Sequence, residues 1–554
     1  MPKRLREDSP SILPSTKRSR TVITTPVDRL SSMSNELLLH ILSFLPISSL
    51  NVCQRLSRRF HALGGDSELW KRQYYSQWVR PRARRLANVR RSVLPPSKAE
   101  YSPKVSTWFD HGHLAVEGRV TNWKRQYRLR HNWASGSCRF TEVEFVEPPC
   151  PPVLVKLCSG IVFTADTAHG LRGWAAKDPT RCLCKIAFPE LRRQNTRPTA
   201  LSVSQLENGQ EIVVGFEDGH FDRYALDVGT SQLKLLSSHL AFRDGAITAM
   251  ALSSPYLLIV SQHKLLSLYN LRGRPSNSGD AQDATAPCEI ASLRAENMVA
   301  PMTLSLRVST SEIVATIVYS FFHIGCGWSL GIQEQRFAKD GRQLESRLTS
   351  TVDSQYGTRP LRTHPQSNQR LRSTSDSTSL LVPAEPSIMH QRPPTSMSYN
   401  HPYLLTSHAD NTLTMYLVVS DSDRLFVRGG QRLWGHTSSV STVLVTNRGK
   451  AVSVGSLGNE IRIWELETAV SSLNSHRPLN AENSIQVSPD NRAAKSWLDT
   501  PKSTRKELSG SELVTSKPQS LDRMYECVGF DEERVLLLGE KTVGTQLLEC
   551  YDFT

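Results

Sequence analysis

The sequence lacks the features that mark several classes of protein. It contains no run of about 18 apolar residues and begins with polar and basic residues, so we expect neither a membrane-spanning nor a secreted protein. Its ten cysteines form no C-x-x-C pair, Cys182 and Cys184 being the closest, which favours neither a zinc site nor a disulfide framework. We therefore expect an intracellular protein of a reducing compartment, without a metal or cofactor.

Signatures of catalysis are missing as well. The sequence shows no phosphate-binding loop, dinucleotide fingerprint, H-E-x-x-H motif, nucleophile elbow or kinase signature. Gly455, Ser456 and Gly458 lack the spacing of a nucleophile elbow. Asp218 and His220 suit a turn better than a catalytic pair. We predict a protein that is not an enzyme and acts through its binding surfaces.

Positive charge is concentrated near the N-terminus. The 554-residue chain has a net charge of +15, and residues 1–100 hold nineteen Lys and Arg against seven Asp and Glu. Residues 1–28 are polar and interrupted by proline, which predicts a disordered basic tail. Basic clusters in this tail resemble a bipartite nuclear import signal, so we expect localisation in the nucleus, the cytoplasm or both. These clusters contain Lys3, Arg4, Lys17, Arg18 and Arg20.

A helical pattern follows the tail. Apolar residues recur at three- and four-residue intervals in Leu37, Leu38, Ile41, Leu42 and Leu45. Ser34 is the predicted N-cap of this helix, Glu36 suits its first turn, and Pro46 ends it. We predict a second helix capped by Ser48 or Ser49, and a third capped by Asp66.

Three short helices expose more apolar surface than they can cover for one another. This favours docking onto a partner protein; packing against the rest of the chain is the alternative. The order of apolar residues over residues 30–73 resembles the F-box, the motif by which substrate receptors bind the Skp adaptor of SCF ubiquitin ligases. Met33 and Ser34 stand where that family usually has Leu-Pro. The resemblance implies an F-box at residues 29–75 and adaptor binding by Met33, Leu37, Leu38, Ile41, Leu45, Leu50, Leu56, Phe60 and Trp70.

Residues 76–136 are predicted to form a helical linker. Aromatic and basic residues alternate here, a pattern compatible with nucleic-acid binding. We favour structural packing instead, because Trp123, Tyr127 and Trp133 suit a linker helix that packs on its neighbours.

Residues 433–467 resemble a WD repeat, which is one four-stranded blade of a β-propeller. In that family a His, a Ser or Thr, a Trp and a turn Asp share hydrogen bonds. His436, Ser456 and Trp464 match this pattern, with Gly458 or Asn459 in the place of the Asp. The resemblance implies that the matching residues stabilise the blade.

Weaker copies of this repeat occur along the chain, and Trp174, Asp218 and Asp410 are the structural residues predicted in them. The copies lie at residues 152–175, 199–227, 246–271, 302–332, 402–419 and 524–553. Together they predict a closed seven-bladed propeller over residues 137–554, with a strand near Phe140 to Phe145 completing the last blade. Two low-complexity insertions are expected, at residues 338–400 and 470–520.

The expected architecture is an α+β multidomain protein: a small three-helix F-box, a helical linker and a mainly-β propeller. It resembles the F-box proteins with WD repeats, which implies the substrate-recognition subunit of an SCF-type cullin ubiquitin ligase. The implied partners are a Skp-family adaptor, a cullin scaffold bound indirectly, and an unidentified client that is ubiquitinated and degraded. The predicted blade turns carry one cation, Lys264, so we expect no phosphate recognition by arginines there.

Two other functions stay open. The protein could be a non-degradative propeller scaffold of a nuclear complex. A nucleic-acid-binding protein that uses the basic region 71–91 is a less favoured alternative.

Overall fold

The computed structural model describes residues 30, 32–81, 121–143, 153–188, 196–206, 209–227, 229–239, 245–273, 287–294, 299–352, 388–421, 424–456, 460–467, 484–489, 525–542 and 545–554. The chain divides into two compact units. The described part of the first unit is residues 30–81 and 121–127, and that of the second begins at residue 128. The predicted tail, with its import-like clusters, lies outside the described residues.

The first unit is helical. It contains α1 (Asn35–Leu42), α2 (Ile47–Cys53), α3 (Arg58–Gly64), α4 (Ser67–Tyr74), a π-helical turn (Tyr75–Val79) and the start of α5 (Trp123–Ser135). Two predicted N-caps are confirmed: Ser34 accepts a hydrogen bond from the Leu37 N–H, and Asp66 accepts from the Glu68 N–H.

The predicted second helix is wrong in two respects. It begins after Pro46, which caps α2 without a side-chain hydrogen bond, and not at Ser48 or Ser49. It also ends at Cys53, because the Ser57 hydroxyl accepts from the Phe60 N–H and starts α3 separately. Described residues 32–81 therefore hold four short α-helices, where three were predicted.

Two apolar clusters hold the first unit together. The first packs α1 to α4 around Leu38, Leu42, Leu50, Leu63 and Leu69. The second is aromatic and contains Trp70, Trp123 and Tyr127, with Tyr74, Tyr75 and Trp78 packed on it. The aromatic residues interleaved with the basic ones therefore pack on one another, as the structural interpretation of the linker predicts.

The described strands of the second unit form seven sheets. The first three contain β2 (Leu154–Cys158), β3 (Ile161–Asp166), β4 (Gly170–Ala175), β5 (Asp178–Ile186); β6 (Pro198–Leu206), β7 (Gly209–Phe216), β8 (Phe221–Asp227), β9 (Gln232–His239); and β10 (Ile247–Ser253), β11 (Tyr256–Ser261), β12 (Leu265–Asn270), β13 (Cys288–Arg294). The next three contain β14 (Val299–Val308), β15 (Glu312–His323), β16 (Gly327–Ala338), β17 (Gln343–Ser350); β18 (Ser396–Asn400), β19 (Tyr403–Ser407), β20 (Leu413–Ser420), β21 (Leu425–Leu433); and β22 (Val440–Val445), β23 (Lys450–Gly455), β24 (Ile461–Glu465), β25 (Ser484–Gln486). The seventh contains β26 (Ser488–Pro489), β1 (Ser137–Val143), β29 (Thr545–Asp552), β28 (Arg534–Thr542) and β27 (Tyr525–Phe530). Within these sheets every pair of neighbouring strands is antiparallel except β1 and β26.

The sheets form a closed ring of seven blades. The first strand of each sheet contacts the first strands of its two neighbours, and β27 of the seventh sheet contacts both β22 and β2. A buried cluster fills each gap between neighbours, including the one that joins Leu536 of the last blade to Val162 and Trp174 of the first. The predicted seven-bladed propeller is confirmed.

The predicted closing strand is confirmed too. β1 pairs antiparallel with β29, and Phe140 lies opposite Tyr551. The N-terminal end of the second unit thus supplies a strand to the last blade, which removes an open edge. Phe145 lies outside the described residues.

The predicted limits of the two insertions are wrong. β17 and β18 lie inside residues 338–400, and β25 and β26 lie inside residues 470–520. β17 is the outer strand of its blade and most of its side chains are exposed, so its composition is as polar as that of a loop. The residues between these strands, 353–387 and 490–524, lie outside the described part of the chain.

Candidate interaction surfaces

Helix α1 has two apolar faces. Leu38 and Leu42 point into the helical core with 1% and 3% of their surface exposed. Leu37, Ile41 and Phe44 are 56%, 41% and 68% exposed. With about 100° of rotation per residue, positions 37, 41 and 44 lie within one narrow stripe of the surface. We call these three residues the outer face of α1.

The residues predicted to bind an adaptor fall into three groups in the structure. Leu38, Leu50 and Trp70 are buried and hold the unit together. Met33, Leu45 and Phe60 are partly buried against the same core. Leu37, Ile41 and Leu56 are exposed and available to a partner, Leu56 with 65% of its surface.

Three exposed apolar residues of the first unit, Leu30, Phe44 and Val52, are absent from the predicted set. Phe44 lies just after α1, and Val52 in α2 is 57% exposed. The spacing of Phe44 from Leu37 and Ile41 could have identified it, because the three positions follow the i, i+4, i+7 pattern of one helix face.

Hydrogen bonds fix both ends of α1. The Arg59 guanidinium donates to the Asn35 side chain, with its Nε 3.0 Å from Asn35 Oδ1, and also to the Met33 carbonyl. Arg72 donates to the Ser43 hydroxyl at 3.0 Å. The Met33-Ser34 pair therefore has a defined local role, since Ser34 caps the helix and the Met33 carbonyl anchors α3 to it. Hydrogen bonds from α3 and α4 thus fix the helix that carries the outer face.

The hydrogen-bond network of the sixth blade differs from the predicted one. The Trp464 indole N–H donates to Ser453 Oγ at 2.8 Å, and Ser453 Oγ lies 2.6 Å from His436 Nε2. Ser453 is therefore the network residue. Ser456 is wrong in that role, because its hydroxyl pairs with that of Ser439 at 2.7 Å.

Glu460 takes the part of the turn Asp in this blade. One of its carboxylate oxygens lies 3.4 Å from His436 Nδ1 and accepts from the Thr437 N–H at 2.8 Å. The turn Asp was expected at position 458 or 459. Because a Glu side chain is longer than that of Asp, Glu460 can approach the histidine from just beyond those positions. Burial lowers the pKa of His436 to about 4, although Glu460 opposes that shift. The imidazole is therefore neutral at pH 7 and acts as a structural hydrogen-bonding group.

The other predicted propeller residues make local contacts. Trp174 is buried and donates from its indole to the Thr164 hydroxyl at 3.0 Å. Asp218 bonds the ring of His220 within its turn. Asp410 accepts from the Thr412 hydroxyl at 2.6 Å. Each of the three residues makes contacts within its own blade. They lie in different blades and do not form one site.

A cleft opens beside Asp410 on the fifth blade. Its volume is about 360 Å³. We call it the His390 cleft, and it is lined by Met389, His390, Gln391, Arg392, His408, Ala409, Asp410 and Arg432. The sequence pattern does not identify Arg392 and Arg432, because neither lies in a turn between the second and third strands of a blade. Arg392 lies in the segment that precedes β18, and Arg432 lies near the end of the outer strand β21.

Among the described residues, no group of three or more His, Cys, Asp or Glu is placed to hold a metal ion. In the same part of the chain, none of the helices has the length and apolar character needed to cross a membrane.

The family profile described as F-box protein pof12 beta-propeller matches residues 138–554, which is more than half of the chain. A second profile, described as F-box-like, matches residues 35–76. A search of curated proteins found no match.

Solved structures with related shape were also found. The computationally designed Ika8 protein is 13% identical, with 72% of this chain and 82% of that chain covered and a TM-score of 0.34. The WD40 propeller domain of Doa1 is 9% identical, with 74% and 97% covered and a TM-score of 0.34. Saccharomyces cerevisiae Sqt1 is 10% identical, with 74% and 97% covered and a TM-score of 0.33. Similarities this weak add nothing to the architecture described above.

Proposed function

The chain belongs to the F-box protein pof12 beta-propeller family, and from this premise we propose that it is the substrate-recognition subunit of an SCF-type cullin ubiquitin ligase. An F-box-like domain joined to a propeller is the arrangement of a substrate-receptor type of F-box protein. In the proposed role the helical unit binds a Skp-family adaptor, and the adaptor connects the chain to a cullin. The propeller binds a client, which is ubiquitinated and then degraded.

The outer face of α1 is the observation that supports adaptor binding. Leu37, Ile41 and Phe44 are between 41% and 68% exposed, and the opposite face of α1 is packed into the core. A row of exposed large apolar residues on a small domain marks a protein interface. Leu56 and Val52 add further exposed apolar surface to the same unit.

The chain's contribution in this role is proximity. A client held on the propeller experiences a high effective concentration of the ubiquitin-charged enzyme bound at the far end of the complex. No side chain of this protein needs to form or break a bond. The family to which the chain belongs is typically a non-catalytic adaptor.

Co-purification from cells tests the proposal. Tagged full-length protein should capture the Skp-family adaptor and a cullin, and the double variant Leu37→Asp/Ile41→Asp should lose both. Ala62→Asp is the matched control, because Ala62 is an exposed residue of α3 and the same charge there leaves the outer face of α1 intact. Capture of the adaptor without any cullin would overturn the ligase role and favour a non-degradative scaffold.

A proteomic comparison would identify the client. Cells that express the double variant should accumulate proteins that still bind the propeller, whereas cells with the wild-type chain should degrade them. Equal abundance of every propeller-bound protein in the two cell lines would contradict a role in degradation.

A further inference from the structure

The His390 cleft carries an excess of positive charge. Arg432 lies 3.7 Å from the Asp410 carboxylate and donates to the Met389 carbonyl at 3.1 Å. Arg392 is exposed, and among the described residues it has neither an ion pair nor a hydrogen-bond partner. Two guanidinium groups thus face one carboxylate, which leaves a single positive charge uncompensated at the cleft.

The two histidines of the cleft add no charge at neutral pH. The rings of His390 and His408 are stacked with their centroids 3.8 Å apart. Burial lowers the pKa of His390 to about 4 and that of His408 to about 3. Each imidazole bonds a threonine hydroxyl of its own blade, His408 that of Thr406 at 3.0 Å. They form a neutral, rigid wall, and the arginines provide the electrostatic attraction.

An exposed apolar hairpin adjoins the cleft. The Trp328 N–H donates to the His390 carbonyl at 2.8 Å, so the start of β16 is joined directly to the cleft wall. Across the hairpin from Trp328 lies Phe322, which is 61% exposed, and Ile324 at the tip is 98% exposed. Met389 of the cleft itself is 48% exposed.

The cleft and the hairpin face the same end of the propeller. In a four-stranded antiparallel blade, the turn between the second and third strands and the exit of the fourth strand lie at one end. The β15–β16 hairpin, the β19–β20 turn with Asp410, and the end of β21 with Arg432 all meet this condition. We call the His390 cleft together with Phe322 and Ile324 the cleft-hairpin surface.

We propose that the cleft-hairpin surface binds an extended acidic segment of the client, with a carboxylate held by Arg392 and Arg432 and a neighbouring apolar side chain packed on Phe322, Ile324 and Met389. This inference rests on the proposed function for the claim that the bound protein is a client. Contiguous exposed apolar residues beside an unpaired cation are the composition expected of a peptide-binding site. Arginine suits the ligand because its planar guanidinium can bind a carboxylate through two hydrogen bonds.

Charge balance favours a carboxylate over a phosphate. The cleft has one positive charge in excess, and a carboxylate side chain carries one negative charge. A phosphorylated residue carries about 1.5 to 2 negative charges at pH 7, and it would lie near Asp410, whose pKa is lowered so that it stays ionised. Repulsion from Asp410 would offset part of the attraction to the arginines.

A phage-displayed library of random peptides, selected on immobilised full-length protein, tests the proposal. We expect enrichment of peptides with Asp or Glu beside a large apolar residue. Arg392→Glu and Ile324→Ser should abolish this enrichment. Two variants provide matched controls on other blades: Arg272→Glu reverses an exposed arginine, and Leu236→Ser removes an exposed leucine that is 48% accessible.

Synthetic copies of an enriched peptide then identify the ligand chemistry. In fluorescence anisotropy, replacing the acidic residue by its amide should weaken binding by about tenfold or more, as should Arg392→Glu in the protein. Stronger binding of a phosphoserine copy than of the carboxylate copy would overturn the choice of carboxylate. No enrichment, or the same peptides selected by wild-type protein and Arg392→Glu, would overturn the site.

The adaptor provides a separate readout. Arg392→Glu should retain full capture of the Skp-family adaptor, because it lies in the second unit and leaves α1 unchanged. Absence of peptide enrichment on wild-type protein that captures the adaptor normally would reject the peptide site alone. Normal peptide selection by a chain that captures no adaptor would reject the receptor role and leave the site standing.

Discussion

Leu37 and Leu38 are neighbours in α1, and their side chains have opposite surroundings. Leu37 is 56% exposed, whereas Leu38 is 1% exposed and packs with Leu42, Leu50 and Leu63. One helix therefore presents apolar residues to the core and to the surface at the same time. The first set stabilises the helical unit, and the second is free to bind a partner.

This contrast predicts different effects on stability. Leu38→Ala should destabilise the helical unit by about 3 kcal/mol, because it leaves a cavity in a packed core. Leu37→Ala should cost less than about 0.5 kcal/mol, as expected for an exposed position. Hydrogen–deuterium exchange of the α1 amides measures both, and Leu38→Ala should speed exchange by about a hundredfold. Similar exchange in the two variants would contradict the assignment of the faces.

The network of the sixth blade gives a second prediction. Ser453→Ala should lower the free energy of unfolding by about 2 kcal/mol, because it leaves the Trp464 indole and the His436 ring without their shared partner. Ser456→Ala is the matched control and should cost about 0.5 kcal/mol, since Ser456 is only partly buried. Urea unfolding followed by tryptophan fluorescence compares them. A larger loss of stability in Ser456→Ala than in Ser453→Ala would show that Ser456 is the network residue, as the motif predicts.

Part of the fold could be predicted from the sequence. Local chemistry was predictable: Ser34 and Asp66 cap their helices because a short oxygen-bearing side chain precedes an apolar pattern. The repeat count and the closing strand were predictable because each blade has its own strand pattern and an open edge must be paired.

The other features depend on three-dimensional geometry, which the spacing of residues along the sequence does not reveal. Ser453 and Ser456 are three residues apart and have different partners, and the motif could not identify the one that meets Trp464 once Glu460 had replaced the usual Asp. The outer strand β17 has the polar composition of an insertion because solvent covers it. Arg392 and Arg432 converge only when the blade folds, since the fifth sheet separates them in sequence.

Lys450 gives a prediction on pH. Its ammonium lies 3.6 Å from the centroid of the Trp133 ring. Burial lowers its pKa to about 7, with Arg130 and Arg448 acting in the same direction and Glu532 and Glu465 opposing. The unfolded chain holds this proton up to about pH 10, so the native state binds fewer protons between those values. The contribution of Lys450 to the free energy of unfolding therefore increases as the pH rises above 7.

The variant Lys450→Met isolates that contribution. It keeps an unbranched side chain of nearly the same length and removes the charge. Between pH 7 and pH 8.5 the urea midpoint of the wild type should rise relative to that of Lys450→Met, so the difference between the proteins should change with pH. A difference that stays constant over this range would show that Lys450 does not titrate there.

The affinity of the purified Skp-family adaptor for the full-length chain tests the central claim most directly. Isothermal titration should give tight binding for the wild type and for Ala62→Asp, and at least about a hundredfold weaker binding for Leu37→Asp/Ile41→Asp, because charge replaces the centre of an apolar interface. Circular dichroism of the double variant should match the wild type, since both positions are exposed. Wild-type affinity in the folded double variant would contradict adaptor binding through the outer face of α1.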